Sequence, residues 1–226
     1  MTALYPEEGK MTQIKLCGLK RQSDIEAANE LKPEYIGFVL WEKSSRYVSR
    51  DEALLLKKAL LPGIKAVGVF VDEEVSNVAA LLNDEVIDIA QLHGHEDGSY
   101  IERLKEISPE CQIIKALKVR DKESLLLELD GFSLESPDFF LLDSGTGSGQ
   151  SFNWEILQSP EVTDKLKDLS KGWFLAGGLD AANVAEAIEK LRPMAVDVSS
   201  GIETEGKKDP DKMREFVREA RSKNHD

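Results

Sequence analysis

Short apolar runs alternate with amphipathic stretches from Ile14 to the end of the chain. The apolar runs are residues 13–17, 35–40, 65–71, 86–92, 112–117, 138–143, 172–177 and 194–200. They are often β-branched and mostly apolar on both faces, which is the pattern of buried parallel strands. Between them, Asp24 to Leu31, Ser49 to Leu61, Glu73 to Leu82, Ser99 to Ile107 and Asn183 to Leu191 carry apolar residues three and four apart. That spacing predicts helices with one buried stripe. Ser49 with Glu52, and Ser99 with Glu102, stand at the spacing of a capping box. Pro33, Pro62, Pro109 and Pro193 follow four of the helices, where a stop is expected. A last helix is predicted from Pro210 to Arg221, with Asp209 as its cap and Pro210 in its first position.

The stretch 121–136 is the irregular unit. Asp121 to Asp130 suits a helix, whereas Gly131 to Ser136 reads as loop. Alternation of strands with helices leaves two architectures, a closed barrel or an open doubly wound sheet. A dinucleotide-binding sheet carries a GxGxxG turn after its first strand, and Cys17 to Ser23 lacks it. The prediction is therefore α/β, a single (β/α)8 (TIM) barrel of eight parallel strands, compact for its class, with a short or irregular fifth helix. It is expected to occupy residues 11–226. Residues 1–10 have no apolar period and are expected to be a disordered lead, with Met11 a candidate native start.

Composition narrows the function classes. A chain of 226 residues supplies one large core and is short for two domains. No apolar run approaches the roughly 20 residues needed to cross a bilayer, and no signal-peptide pattern opens the chain. The cytoplasm is the expected compartment. Cys17 and Cys111 make no disulfide framework, and His93, His95 and His225 have no zinc-ligand spacing, so no metal is expected. A net charge of −13 argues against nucleic acid or an anionic membrane as partner. It leaves room for a small phosphorylated ligand, because the backbone N–H groups that hold phosphate do not enter a charge count.

The active site of such a barrel lies at the C-terminal ends of its strands. Cys17-Gly18 ends the first apolar run, and Lys43-Ser44-Ser45-Arg46 follows the second. Gln91-Leu92-His93-Gly94 ends the fourth, Asp143-Ser144 the sixth, Gly177-Gly178 the seventh, and Asp197 to Gly201 the eighth. The glycine pair after the seventh run and Ser200-Gly201 after the eighth fit the recurrent barrel phosphate site. Each feature has a plain alternative. A cysteine closing an apolar strand is more often a small buried hydrophobe than a catalyst. Asp143 fits a loop or helix cap, Arg46 a solvated loop, and each glycine an ordinary turn. Composition and spacing lead as far as a phosphate-binding barrel.

Seven blocks carry a more specific likeness. KLCGLK (15–20), YIGFVLWEKSSRYVS (35–49), VGVFVD (67–72), QLHGHE (91–96), LLDSGTGSGQSFNW (141–154), FLAGGLDAANV (174–184) and AVDVSSGIETEGKKD (195–209) resemble the successive signatures of the phosphoribosylanthranilate isomerase family, in its order. The resemblance runs from about residue 13 to the end. It implies a cofactor-free Amadori rearrangement in tryptophan biosynthesis, with N-(5-phosphoribosyl)anthranilate as substrate. It also implies Asp143 as general acid, Cys17 as general base, and Arg46 as the grip on the anthranilate carboxylate. Gly177, Gly178, Ser200 and Gly201 match its phosphate-binding turns, and Gln91, His93 and Asp197 its pocket lining. A monomer or a homodimer is expected.

An acid working near neutrality must hold its proton, so Asp143 is expected to have a raised pKa. A cysteine base must spend time as thiolate, so Cys17 needs positive surroundings. Strand alternation puts Lys15 on the face of Cys17, one layer deeper, and Asp197 on the neighbouring strand once the barrel closes. A Lys15–Asp197 pair is expected there. It either favours the thiolate or merely satisfies itself in the core.

Three positions depart from the family pattern. The arginine loop reads Ser-Ser-Arg where the family has Ser-Pro-Arg, which loosens it. Asn153 stands for an aspartate before Trp154 and is expected to remain a helix cap. The loop after Asp143 is short, with glycine reduced to Gly147-Ser148-Gly149 behind Thr146. Rival readings are a noncatalytic phosphate-binding barrel, or a related sugar-phosphate isomerase, which is expected to have aspartate in place of Cys17.

Overall fold

The computed structural model describes residues 11–132, 137–143, 154–169 and 172–222. The elements alternate along the chain. They are β1 (Gln13–Cys17), α1 (Gln22–Leu31), β2 (Tyr35–Val39), α2 (Arg50–Lys58), β3 (Lys65–Phe70), α3 (Val75–Asn83), β4 (Ile89–Leu92) and α4 (Gly98–Ile107). They continue as β5 (Gln112–Lys118), α5 (Lys122–Asp130), β6 (Phe139–Asp143), α6 (Glu155–Gln158), α7 (Pro160–Leu169), β7 (Trp173–Ala176), α8 (Val184–Leu191) and β8 (Ala195–Val198). A two-stranded hairpin, β9 (Glu203–Thr204) with β10 (Lys207–Lys208), precedes the last helix, α9 (Pro210–Ser222).

Strands β1 to β8 form a closed barrel in sequence order, every pair parallel. The ring shuts where β1 meets β8, with Lys15 level with Asp197. Strand alternation then sorts the side chains. Ile14 and Leu16 point outward to the helices, into a large apolar shell that also takes Ile36, Phe38, Phe140 and Val196. Tyr35, Val67, Ile89, Ile114, Phe139, Leu141 and Phe174 fill the barrel interior. Tyr35 and Phe174 meet edge-on there, with ring centroids 5.3 Å apart. The floor is thus a packed plug, and a cavity opens above it at the C-terminal mouth.

Local chemistry explains most element ends. Ser49 caps α2 by accepting the N–H of Glu52, whose carboxylate accepts in return from Ser49, so that capping box forms. The box expected from Ser99 and Glu102 does not. Helix α4 starts at Gly98, one residue early, because Asp97 accepts the N–H of Tyr100 at 2.9 Å and the Ser99 hydroxyl at 2.7 Å. Aspartate and serine cap about equally well, and here Asp97 lies first and takes the free N–H of the opening turn. Asp209 caps α9 as expected, accepting from the N–H of Asp211. Helix α5 is a regular nine-residue helix capped by Asp121. Helices α6 and α7 fill the stretch between β6 and β7, for which the sequence pattern gives no helix bounds beyond the cap expected at Asn153. Residues 1–10, Asn153 and the glycine-containing loop after Asp143 lie outside the described residues.

Candidate active site

Cys17 is the last inward-facing residue of β1 and is 7% exposed. One layer below, Lys15 is fully buried and its Nζ donates to Asp197 Oδ1 at 2.9 Å. Burial alone would lower the Lys15 pKa, but Asp197 and Cys17 outweigh it and hold the ammonium protonated. The thiol behaves the other way. Burial pushes the Cys17 pKa up, Lys15 opposes this, Asp197 adds to it, and Lys208 opposes again; the net direction is upward. The expected Lys15–Asp197 pair is therefore present. Its pull toward thiolate is real but smaller than the desolvation it works against.

Asp143 ends β6, with β7 and β8 between it and Cys17 on the near side of the ring. His93 Nε2 lies 3.3 Å from Asp143 Oδ2. The Gln91 side-chain amide lies 3.1 Å from His93 Nδ1 and holds the ring with Nε2 turned toward Asp143. Behind this row, Glu96 accepts the N–H of Asp72 and of Gly94 and pairs with the buried Lys115 at 3.1 Å. That buried set ties the loops after β3 and β4 together and steadies His93.

Gly177 and Gly178 form the turn after β7, with φ of 92° and 65°. These are left-handed conformations that glycine adopts without cost. Among the described residues, no protein acceptor takes the N–H of either glycine. Asn183, which the sequence pattern marks only as the start of a helix, fixes the turn by donating to the Gly178 carbonyl at 2.9 Å. Ser200 opens the 3-10 turn that follows β8. Gly201 sits behind the wall. A Cβ there would stand 2.0 Å from the Leu179 carbonyl oxygen, so its smallness lets the two turns touch.

Arg46 faces the same cavity from the loop after β2, and its side chain is 30% exposed. It is not a free cation. Its Nε and Nη2 donate to Glu203 at 2.7 and 2.8 Å. Glu203 also accepts from Lys208 Nζ at 2.6 Å. Burial raises the Glu203 pKa, yet the hydrogen bonds from Arg46 and Lys208 win and hold it down to about 2.

One cavity of roughly 380 Å³ collects these groups. Cys17, Arg46, Gln91, His93, Asp143, Gly177, Gly178, Asp197 and Ser200 all line it. Its size is that of a small-molecule site. Lys118 lines it too and was missed, because the fifth apolar run ends at Leu117 while the strand continues one residue further. Its signal is strand alternation from Ile114 and Ala116. A second hollow of similar volume, between Asp72 and Arg103, lies over the loops after β3 and β4 and is lined largely by acidic groups. It suits no phosphate. Among the described residues, no group of acidic, histidine or cysteine side chains is arranged to hold a metal ion.

The fold and cavity define an α/β-barrel with a glycine turn on one side and a thiol and a carboxyl facing across its mouth. Residues 14–219 match the family model for N-(5′-phosphoribosyl)anthranilate (PRA) isomerase, and the chain belongs to that family. It is 41% identical over 223 residues to the N-(5′-phosphoribosyl)anthranilate isomerase of Acetivibrio thermocellus, covering 93% of this chain and 96% of that relative. The same enzyme of Endomicrobium trichonymphae is 40% identical, covering 94% and 100%. The phosphoribosyl anthranilate isomerase structure from Thermotoga maritima superposes with a TM-score of 0.80 at 33% identity, covering 94% of this chain and all of that one. A phosphoribosyl anthranilate isomerase in complex with reduced 1-(o-carboxyphenylamino)-1-deoxyribulose 5-phosphate gives 0.78 at 32% identity, covering 94% and 100%.

Proposed function

We propose that the chain converts N-(5-phosphoribosyl)anthranilate to 1-(2-carboxyphenylamino)-1-deoxyribulose 5-phosphate, an Amadori rearrangement in tryptophan biosynthesis. The observation that carries the reading is the placement of Cys17 and Asp143 on β1 and β6, both lining one cavity that also holds the Gly177–Gly178 turn. An intramolecular isomerisation needs an acid on one side of the sugar, a base on the other and an anchor for the phosphate.

Asp143 gives its proton to the furanose ring oxygen as the C1′–O bond breaks. The anilino nitrogen lone pair forms the C1′=N bond of a protonated Schiff base. Cys17 as thiolate then removes the C2′ proton, and the C2′–H electron pair forms C1′=C2′ while the C=N pair returns to nitrogen. The resulting enolamine takes a proton at C1′ and loses one from the C2′ hydroxyl, which leaves the ketone. Atoms and electrons are conserved, so no external oxidant, reductant or cofactor enters.

The phosphate is assigned to the backbone of Gly177 and Gly178 with Ser200, and Gly201 sets their spacing. The ring carboxylate is assigned to Arg46. Gln91 and His93 orient the acid, and Asp197 holds Lys15 beneath the base. The compartment is assigned to the cytoplasm, in keeping with a chain in which no described helix is long and apolar enough to cross a membrane. The oligomeric state is assigned as monomer or homodimer; the relative from Thermotoga maritima is described as dimeric.

The test is turnover of freshly generated phosphoribosylanthranilate, followed as loss of anthranilate-type fluorescence, beside Cys17→Ala and Asp143→Asn. Activity in the wild type with loss in both variants supports reaction and roles together. An active Cys17→Ala overturns the assignment of the base. Binding of phosphorylated ligands without turnover overturns the isomerase reading and leaves a binding barrel.

A further inference from the structure

The cluster around Arg46 holds two groups that the reaction above does not use. Glu203 and Lys208 face each other across the β9–β10 hairpin. Lys208 is 5% exposed, and its Nζ donates to Glu203 Oε1 at 2.6 Å and to the Ser199 carbonyl at 2.9 Å. Glu203 in turn takes the Nε–Nη2 edge of Arg46. Neither Glu203 nor Lys208 lines the cavity, while Arg46 does. Arg46 and Lys208 both pack over Gly18, the residue after Cys17. A Cβ on Gly18 would stand 2.7 Å from Arg46 Cδ and 3.3 Å from Lys208 Nζ.

Charge counting gives the cluster a purpose. Arg46 with Glu203 alone is a neutral pair, and a ligand carboxylate approaching it would meet no net attraction. Buried lysine is costly and rare unless paired. Here it is placed on the same carboxylate, which returns the cluster to a net charge of +1 without putting the ammonium in the cavity. Two-point contact with Glu203 also fixes the plane of the guanidinium. Among the described residues, Nη1 has no protein partner.

We propose that Glu203 and Lys208 are positioning residues for a ligand carboxylate. Glu203 clamps one edge of Arg46 so that Nη1 is left for the carboxylate, and Lys208 supplies the charge that keeps Arg46 and the Cys17 side of the cavity net positive. This rests on the carboxylate-bearing substrate assigned above, and it adds the groups that aim and charge the arginine.

Two ligands separate the parts. One is reduced 1-(2-carboxyphenylamino)-1-deoxyribulose 5-phosphate; the other is its counterpart built on aniline, without the ring carboxylate. Binding of each is measured by calorimetry to wild type, Lys208→Met, Lys208→Arg and Glu203→Gln. In Lys208→Met the carboxylated ligand is expected to weaken about tenfold and the other less than about twofold, with recovery in Lys208→Arg. In Glu203→Gln the carboxylated ligand is expected to weaken about fivefold although the site becomes more positive. Tighter or unchanged binding there overturns the positioning role.

Cys17 alkylation by iodoacetamide against pH gives a second readout that a purely structural role would not move. The profile is expected to shift to higher pH in Lys208→Met and to lower pH in Glu203→Gln; no shift in either overturns the charge argument. Should Lys208→Met fail to fold, Glu203→Gln decides, since it keeps size and shape. A wild type that binds both ligands without turning over substrate sinks the isomerase reading, and the ratio between the ligands still judges this one. Equal losses for both ligands in an active enzyme do the reverse.

Discussion

Lys15 Nζ reaches Asp197 Oδ1 at 2.9 Å across the seam where β1 and β8 close the barrel, and Cys17 stands directly above on the same strand face. The lysine is fully buried and Asp197 is 9% exposed. Removing one member leaves the other charged in a dry setting. Lys15→Met is therefore expected to lose about 3–5 kcal/mol of stability in urea unfolding. Lys15→Met with Asp197→Leu together should lose markedly less, because no uncompensated charge remains. In the single variant the Cys17 alkylation profile should also move to higher pH. An unchanged profile would show that the pair only satisfies itself.

The Cys17 thiol, pushed up chiefly by burial, dictates the pH behaviour of the free enzyme. If thiolate is the base, kcat/KM should climb with pH from about 6 to beyond 8, with no plateau near neutrality. Stability runs the opposite way. The folded thiol keeps its proton longer than the unfolded one, so its contribution is full below the unfolded pKa and is lost as pH rises through the folded value. Cys17→Ser should flatten that alkaline loss. A rate plateau by about pH 6.5 would contradict a raised thiol pKa.

Glu203, held down to about 2, predicts the acid side. Its contribution is present above the ordinary carboxylate range of about 4.3 and fades as pH falls toward the folded value. Glu203→Gln should thus be less stable than wild type at pH 7, and the two should converge near pH 2. Urea midpoints measured at several pH values between those limits check this. A gap that stays constant with pH would mean that Glu203 stabilises by shape alone.

Period and spacing made the barrel legible. Apolar runs with helical stretches between them map onto β1 to β8, and inward alternation on β1 alone places Cys17 over Lys15. Boundaries were harder. Val86 and Ile87 are apolar and buried but precede β4, because burial in a turn gives the same hydropathy as burial in a strand. Ser99 matched a capping pattern that Asp97 occupied first. Between β6 and β7 the sequence predicts a helix start after Asn153, but not the break into α6 and α7.

The site was legible where a residue ends a strand and illegible where it acts from a neighbour. Asp143 and the Gly177–Gly178 turn follow from strand ends. Glu203 and Lys208 do not, since they read as ordinary hairpin charges. Only the chain path that carries β9 and β10 back over Gly18 makes them partners of Arg46. Asn183 reads as a helix start, and its bond to the Gly178 carbonyl is a property of the turn in three dimensions.

Gly201 and Gly178 give a paired test of the turns to which the phosphate is assigned, because alanine would harm them for different reasons. At Gly201 the obstacle is steric. The new Cβ would lie 2.0 Å from the Leu179 carbonyl oxygen, and backbone cannot swing aside as a side-chain tip can. The turn carrying Leu179 and Asp180 must retreat, and Gly178 moves with it through Asn183. Gly201→Ala should cost about 1–3 kcal/mol of stability. It should also raise KM roughly tenfold or more, since an ångström of misplacement is costly for an oriented ligand. At Gly178 nothing stands within 4 Å of an added Cβ, but φ is +65°. Gly178→Ala should cost only about 1 kcal/mol and keep its N–H in place. Its KM should stay within about threefold of wild type if the loop holds its conformation. A larger KM effect at Gly178 than at Gly201 would mean that the turn relaxes into another conformation, and that contact between the two turns is not what spaces the phosphate donors.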